Sequence, residues 1–277
     1  LSEANITAHQ EILDTTNKRN KEGLANKADV FQVEGRLSLA QAQFEREVAR
    51  LKSAKAAYIE AFGTEAGQLL PEQSLAALIP YSLERAKSDA VASHPELLAL
   101  KNVISRSQGA VTEAKSGNRP QIQLEVSANE NDGLSGVEGN NDSYRAMVVM
   151  NWNLFRGAAD KANIASLGAE KSNAQQGYSE RRLSILRDLT VAWHSRQALL
   201  VELNYFKQHE QTIKKTYEAY TEQHKLGERT LFDLLNAQEE LFQSESRVID
   251  TYYETQLSTY DIFSRMGNFT NKLFSIK

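Results

Sequence analysis

The 277-residue chain contains no cysteine. Disulfides and thiolate metal sites are therefore excluded, and an oxidising compartment is permitted without being required. It has only 4 Pro and 14 Gly, few backbone breakers for its length, which fits long helices. No apolar run approaches the roughly 20 residues of a membrane-crossing helix. Basic residues are not in excess, the net charge being −4, so the electrostatic footprint of nucleic-acid binding is missing. Catalytic phrases are missing as well. The five histidines (His9, His94, His194, His209 and His224) never stand with another histidine or a carboxylate at zinc-ligand spacing. No phosphate loop, nucleophile elbow or HExxH occurs. No enzymatic activity, cofactor or metal is expected. A start methionine and a signal peptide are also lacking, and Leu1 opens inside a helical pattern marked by Ile6 and Leu13. Further residues before Leu1 are expected on that ground.

What is present is a duplication. Lys21-Glu-Gly-Leu-Ala-Asn-Lys-Ala-Asp29 returns as Lys225-Leu-Gly-Glu-Arg-Thr-Leu-Phe-Asp233, pairing Lys21 with Lys225, Gly23 with Gly227 and Asp29 with Asp233 at one offset of 204 residues. Each of these glycines is followed 40 residues later by another, Gly63 and Gly267. After each turn a seven-residue column runs on: Val30, Leu37, Phe44, Leu51, Tyr58, and Leu234, Leu241, Val248, Thr255, Ile262. A second column (Val33, Ala40, Glu47, Ala54, Ala61) completes an a/d seam with one charged intruder, Glu47. That period demands a partner helix and a left-handed supercoil. Each turn thus reads as the tip of a long antiparallel helical hairpin, its Gly in the left-handed conformation that ends a helix. Asn26 or Asp29, and Thr230 or Asp233, are expected to cap the outgoing helices.

The expected organisation is a first hairpin over 1–63 with its tip at 21–29, a connector and short helices over 64–118, a strand pair over 119–156 and a second hairpin over 157–267. The second tip is at 225–233, and a tail follows at 268–277. Within the connector, a helical turn is predicted near Leu75–Leu78, and Pro95 marks a new helix start. At Pro120 the period changes from helical to two. Ile122, Leu124, Val126 and Ala128 share one face of a first strand; Tyr144, Ala146, Val148, Met150, Trp152 and Leu154 share one face of a second. Between them, 131–143 reads as a polar loop. Strands of about ten residues suit a tilted bilayer crossing, with Tyr144 and Trp152 near its interfaces; a hairpin on a soluble core is the alternative. The helix from Gly157 to Leu226 would extend roughly 105 Å at 1.5 Å per residue, too long for a compact domain.

In order and spacing these features resemble the TolC family of outer-membrane channel proteins. The resemblance rests on Glu22-Gly-Leu24, Leu226-Gly-Glu-Arg-Thr-Leu-Phe-Asp-Leu-Leu-Asn-Ala-Gln238, Asn153-Leu-Phe-Arg-Gly157 and His94-Pro-Glu-Leu97. It implies a mainly α fold of long antiparallel coiled-coil hairpins, with strands contributed to a trimeric transmembrane β-barrel. It also implies a homotrimer in the Gram-negative outer membrane, with a helical tunnel in the periplasm. Partners would be outer-membrane lipid, a periplasmic adaptor protein and, through it, an inner-membrane ABC transporter or other pump. Two further strands would precede Leu1. The acidic loop 131–143 and Met150-Asn-Trp-Asn-Leu-Phe155 look most like outer-membrane components of type I secretion systems, including those exporting large adhesins. Multidrug efflux is the alternative; a soluble coiled-coil scaffold is the alternative of another kind.

Residue roles follow from the same resemblance. Asp233 matches an acidic position lining the periplasmic entrance, and the next such position is Asn236. Arg229 matches an arginine that latches the closed entrance, with Asp29 as its acidic partner on the other hairpin and His224 at a neighbouring latch position. Gly23, Leu24 and Gly227 match the surface that meets the adaptor.

Overall fold

The computed structural model describes residues 1–69, 75–132 and 140–268. The chain forms two compact units, Leu1–Tyr81 with Thr190–Ser264, and Ser82–Leu189 with Arg265–Lys277. Helices α1 (Ser2–Lys21) and α2 (Lys27–Phe62) are followed by a 3-10 turn at Leu75–Leu78, then α3 (Leu83–Ser93) and α4 (Pro95–Ser116). Strands β1 (Gln121–Asp132) and β2 (Asn140–Asn151) precede the 67-residue α5 (Ala159–Lys225) and the 36-residue α6 (Leu231–Met266). No described helix is long and apolar enough to cross a membrane.

In the first unit the heptad column of α6 faces inward: Leu234, Leu241, Thr255 and Ile262 are buried, and Val248 is half-buried. The seam of α2 is only half realised. Val33, Leu37 and Ala40 are buried, but every residue from 51 to 62 is exposed, including Leu51, Tyr58, Ala54 and Ala61. The buried residues of α2 are those nearest the tip, and among the described residues nothing covers the stripe from 51 to 62. Glu47, the charged intruder, is likewise exposed and pairs at 2.8 Å with Arg50. The buried stripe of α1 is Asn5, His9, Ile12 and Thr16, while Ile6 and Leu13 are half-buried. Three of the four buried groups are polar, which is why an apolar pattern points to the wrong stripe.

In the second unit the phrase around Pro95 does what its composition demands. Ser82 caps α3 through Arg85 N–H, and His94 Nδ1 accepts from Glu96 N–H at 3.3 Å with Pro95 at the first helical position. Leu97, Ala86, Ala90 and Leu189 are fully buried, and Arg181 binds Glu96 at 2.6 Å.

The strands pair antiparallel in the register Gln121↔Asn151 to Asp132↔Asn140. The apolar residues face each other as expected, Ile122 opposite Met150 and Val126 opposite Ala146, and that face is exposed. Two boundaries differ from the sequence reading. The ladder runs into the expected loop, taking in 131–132 and 140–143, because its backbone bonds continue whatever the side chains are. The centre of that loop, 133–139, lies outside the described residues, as does the expected tail from 269. At the other end β2 stops at Asn151, three residues short of Leu154. Its partner strand runs out at Pro120, which has no N–H to donate. Trp152 therefore lies beyond the strand, its indole N–H donating to Asn118 carbonyl at 3.2 Å. The helix that follows starts at Ala159 rather than Gly157, since Gly157 and Ala158 take left-handed φ angles of 58° and 68°.

Candidate functional site at the two helical tips

The duplication reappears bond for bond. At the first tip Gly23 has φ +78° and its N–H donates to Asn20 carbonyl at 3.1 Å, while Leu24 N–H donates to Arg19 carbonyl at 2.8 Å. At the second, Gly227 has φ +81°, with Gly227 N–H to His224 carbonyl at 3.0 Å and Glu228 N–H to Gln223 carbonyl at 2.9 Å. Both are Schellman turns, which satisfy the last carbonyls of a helix and require the left-handed φ that glycine adopts freely. A side chain then closes each turn. Asn20 Nδ2 donates to Ala25 carbonyl at 2.8 Å, and at the equivalent position His224 Nδ1 meets Arg229 carbonyl at 2.9 Å. A carbonyl only accepts, so His224 carries its proton on Nδ1.

Both acidic tip residues are engaged in capping. Asn26 and Asp29 form a reciprocal capping box, at 2.8 and 3.1 Å. Thr230 accepts from Asp233 N–H at 3.2 Å, and its hydroxyl donates to the Asp233 carboxylate at 2.8 Å. Arg229 is braced within its own hairpin. Its Nε donates to Gln223 at 3.1 Å, its guanidinium lies 4.1 Å from the ring centre of Tyr220, and Nη1 is 3.9 Å from Asp233. Among the described residues no ion pair joins Arg229 to Asp29. The latch expected between the two hairpins is thus not made within the chain, since both its partners are satisfied closer to home. Asn236 is half-buried and accepts from Arg36 Nη2 at 3.2 Å. Gly23, Leu24 and Gly227 are exposed.

Beneath the tips Ile12, Val33, Leu231, Leu234 and Leu235 form an apolar core, flanked by Leu13, Tyr217 and Tyr220. Next along α1 and α6 comes a polar layer. Gln238 donates to Asn5 at 3.1 Å, and His9 is buried with no partner for Nδ1 among the described residues. The sequence reading missed Arg36, Asn5 and Arg19, whose Nη1 donates to His224 carbonyl at 3.0 Å. Arg36 did leave a signal: it occupies the g position beside Leu37, where charged side chains reach across a coiled coil.

Burial holds His9 below the ordinary histidine pKa; Glu239 opposes the shift and Arg36 reinforces it. A folded chain that binds the proton more weakly than the unfolded one keeps its full stability above the ordinary value of about 6.5. It loses stability as pH falls from there toward the lowered folded value. The melting temperature should fall on acidification through that window, and His9→Gln should flatten the slope. Equal slopes in the two proteins would remove His9 as a cause. His94, lowered chiefly by burial as well, adds a slope that is common to both proteins.

Residues 86–268 match the family model described as Outer membrane efflux protein. The Outer membrane efflux protein BepC of Brucella suis biovar 1 (strain 1330) is 25% identical over 276 residues, covering 98% of this chain and 59% of BepC. The outer membrane protein VceC of Vibrio cholerae superposes with a TM-score of 0.77 at 18% identity, over 96% of this chain and 64% of VceC. The MtrE outer membrane channel of Neisseria gonorrhoeae, in its open state, gives 0.74 at 16% identity, over 96% of this chain and 62% of MtrE. The chain spans less than two thirds of the length of each of these relatives. The shared fold is mainly helical with a strand pair, the TolC-like architecture expected from the tips and their spacing.

Proposed function

Because this chain belongs to the outer membrane efflux protein family, whose members are channels and not enzymes, we propose that it forms the passive duct of a tripartite export machine. Its place is the Gram-negative outer membrane, with its helices in the periplasm. In this reading three copies assemble, each exposed apolar strand face meets lipid, and the tips meet a periplasmic adaptor that couples to an inner-membrane pump. The observation that carries it is the pair of tips with matching hydrogen bonds, each set at the end of a long hairpin. A soluble scaffold would explain the heptads but not a strand pair with an exposed apolar face placed between duplicated tips.

Asp233 would line the entrance, and its charge is tempered by Arg229 at 3.9 Å. That pairing sharpens the expected result for the full-length protein in planar bilayers. Asp233→Ala removes the carboxylate and leaves Arg229 uncompensated, so cation preference should fall roughly severalfold or invert. Arg229→Ala should do the opposite and also raise resting conductance, since the brace on the second tip is lost. Unchanged selectivity in Asp233→Ala would take Asp233 out of the pore.

The cargo favoured is protein exported by type I secretion, on the phrase Met150-Asn-Trp-Asn-Leu-Phe155. Small-molecule efflux is the second reading, favoured by the efflux name of the 25% identical BepC. Deletion of the gene separates them. Loss of one large secreted protein with unchanged drug tolerance supports the first reading, and drug hypersensitivity with intact secretion supports the second.

A further inference from the structure

The apolar face of the strand pair is too short for a membrane. At one end it stops at Ala128 opposite Tyr144, because the next pair on that face is Glu130 opposite Asp142. At the other end its last apolar pair is Ile122 opposite Met150. From Tyr144 to Met150 the strand advances about 3.4 Å per residue, and at a tilt of roughly 40° that rises only about 15 Å. The apolar band of a membrane barrel is about 25 Å tall. The missing height is not beyond Tyr144, where the carboxylates begin. It has to come from beyond Met150.

What lies there is the connection from β2 to α5. Trp152, Leu154 and Phe155 are all exposed, the last two at 77% and 88%. The connection is held at both ends. Trp152 N–H donates to Asn118 carbonyl at 3.2 Å, which pins it to the end of α4. Ala159 N–H donates to Arg156 carbonyl at 3.1 Å across Gly157 and Ala158, both with left-handed φ. Ala158 resists that conformation, and such residues persist where the surrounding structure over-determines them. Charge is one-sided here. Lys115 and Arg119 on the α4 side, and Arg156 and Lys161 on the α5 side, are exposed, against the one carboxylate of Asp160, 3.7 Å from Arg156.

We propose that this junction is a headgroup site for anionic phospholipid of the periplasmic leaflet, a role that rests on the channel reading above. Trp152, Leu154 and Phe155 complete the apolar band among the acyl chains. Arg119 and Arg156 take the phosphates at its edge. Arginine suits the task, because its stem lies along apolar surface while its planar fork reaches the polar boundary and matches a phosphate. The surplus of cations selects the lipid class, since it attracts a headgroup of net negative charge over a zwitterionic one. The opposite edge of the strand pair, with Glu130 facing Asp142, has the wrong sign for the same lipid.

The test uses the full-length protein in vesicles of equal parts phosphatidylcholine and phosphatidylglycerol. Trp152 is kept as its sole tryptophan, every other, Trp193 included, being replaced by phenylalanine. Bromine on the acyl chains of one lipid quenches an indole that touches that lipid. Brominated phosphatidylglycerol should quench Trp152 the more strongly, with a local preference of about fivefold, the contribution of one basic residue at a membrane surface. Added salt should weaken the preference. Arg119→Gln with Arg156→Gln should abolish it and leave the quenching itself, whereas lysine at both positions should keep it. Arg182→Gln, an exposed arginine roughly 35 Å further along α5, should change nothing. If the double glutamine variant does not insert, Arg119→Gln alone serves, with a reduced preference expected. Vesicles that conduct no ions would overturn the channel reading, and this site with it. Conducting vesicles in which neither lipid quenches Trp152 would overturn the site alone. So would equal quenching by both lipids, a preference that survives the glutamine substitutions, or an equal loss in Arg182→Gln.

Discussion

Gly267→Ala is expected to cost about 2–5 kcal/mol of stability, from two separate penalties. Gly267 follows the last residue of α6 with φ +70°, a conformation that a side chain resists. In addition, a Cβ there would lie 2.6 Å from Pro95 Cδ and 2.7 Å from His94 Cδ2. These atoms cannot retreat easily. Pro95 is fixed at the first position of α4, and His94 is held by its cap to Glu96 N–H. The duplicate of Gly267 supplies the control. Gly63 has φ +73°, but a Cβ there meets nothing within 4 Å. Gly63→Ala therefore carries only the conformational term, about 1–2 kcal/mol. Chemical denaturation of the two variants measures the difference. Equal losses would show that the close approach to the His94-Pro95 corner costs nothing.

Leu235→Ala should loosen the tip core by about 2–5 kcal/mol. Leu235 is wholly buried, in contact with a cluster drawn from α1, α2 and α6 and flanked by two tyrosines of α5. Removing its side chain leaves a cavity that four helices would have to shift to close. Amide exchange at residues 227–235 is the suitable readout, because a local opening need not lower the stability of the whole chain. Phe232→Ala, three residues earlier, is the comparison. Phe232 is larger but 55% exposed, and its loss should fall within about 0.5 kcal/mol. If both variants exchange alike, the apolar cluster is not what fixes the tip.

Gly63 and Gly267 share one backbone conformation but not one set of neighbours, and that difference marks where sequence stops determining this protein. The tips were legible because their requirements are local. A Gly with positive φ and a capping residue three positions before an aspartate are both set by the chain's own immediate neighbours. The strand pair was legible for the same reason, since alternation sets a face without reference to anything distant. Even the stop at Pro120 and Asn151 follows from local chemistry once the register is known.

Burial was not local, and there the copies diverge. Leu37 and Leu241 share one fate, both buried, and so do Val33 and Ala237. Yet Phe31 is 66% exposed where its duplicate Leu235 is 0% exposed, and among the described residues Leu51 and Tyr58 are uncovered while their duplicates Thr255 and Ile262 are buried. A heptad says that a helix wants a partner; it does not say whether one is within reach. The same limit applies to charge. The family resemblance pairs Arg229 with Asp29 across two hairpins, but each finds a nearer partner. The bond that crosses between the tips comes instead from Arg19, to a backbone carbonyl that carries no residue-specific signal. Sequence alone determined the elements, their repeat and the caps at the tips, because those depend on short-range sterics and hydrogen bonding. Only the tertiary structure decided which faces are covered and which cation ties the tips, because both depend on what folding brings within a few ångströms.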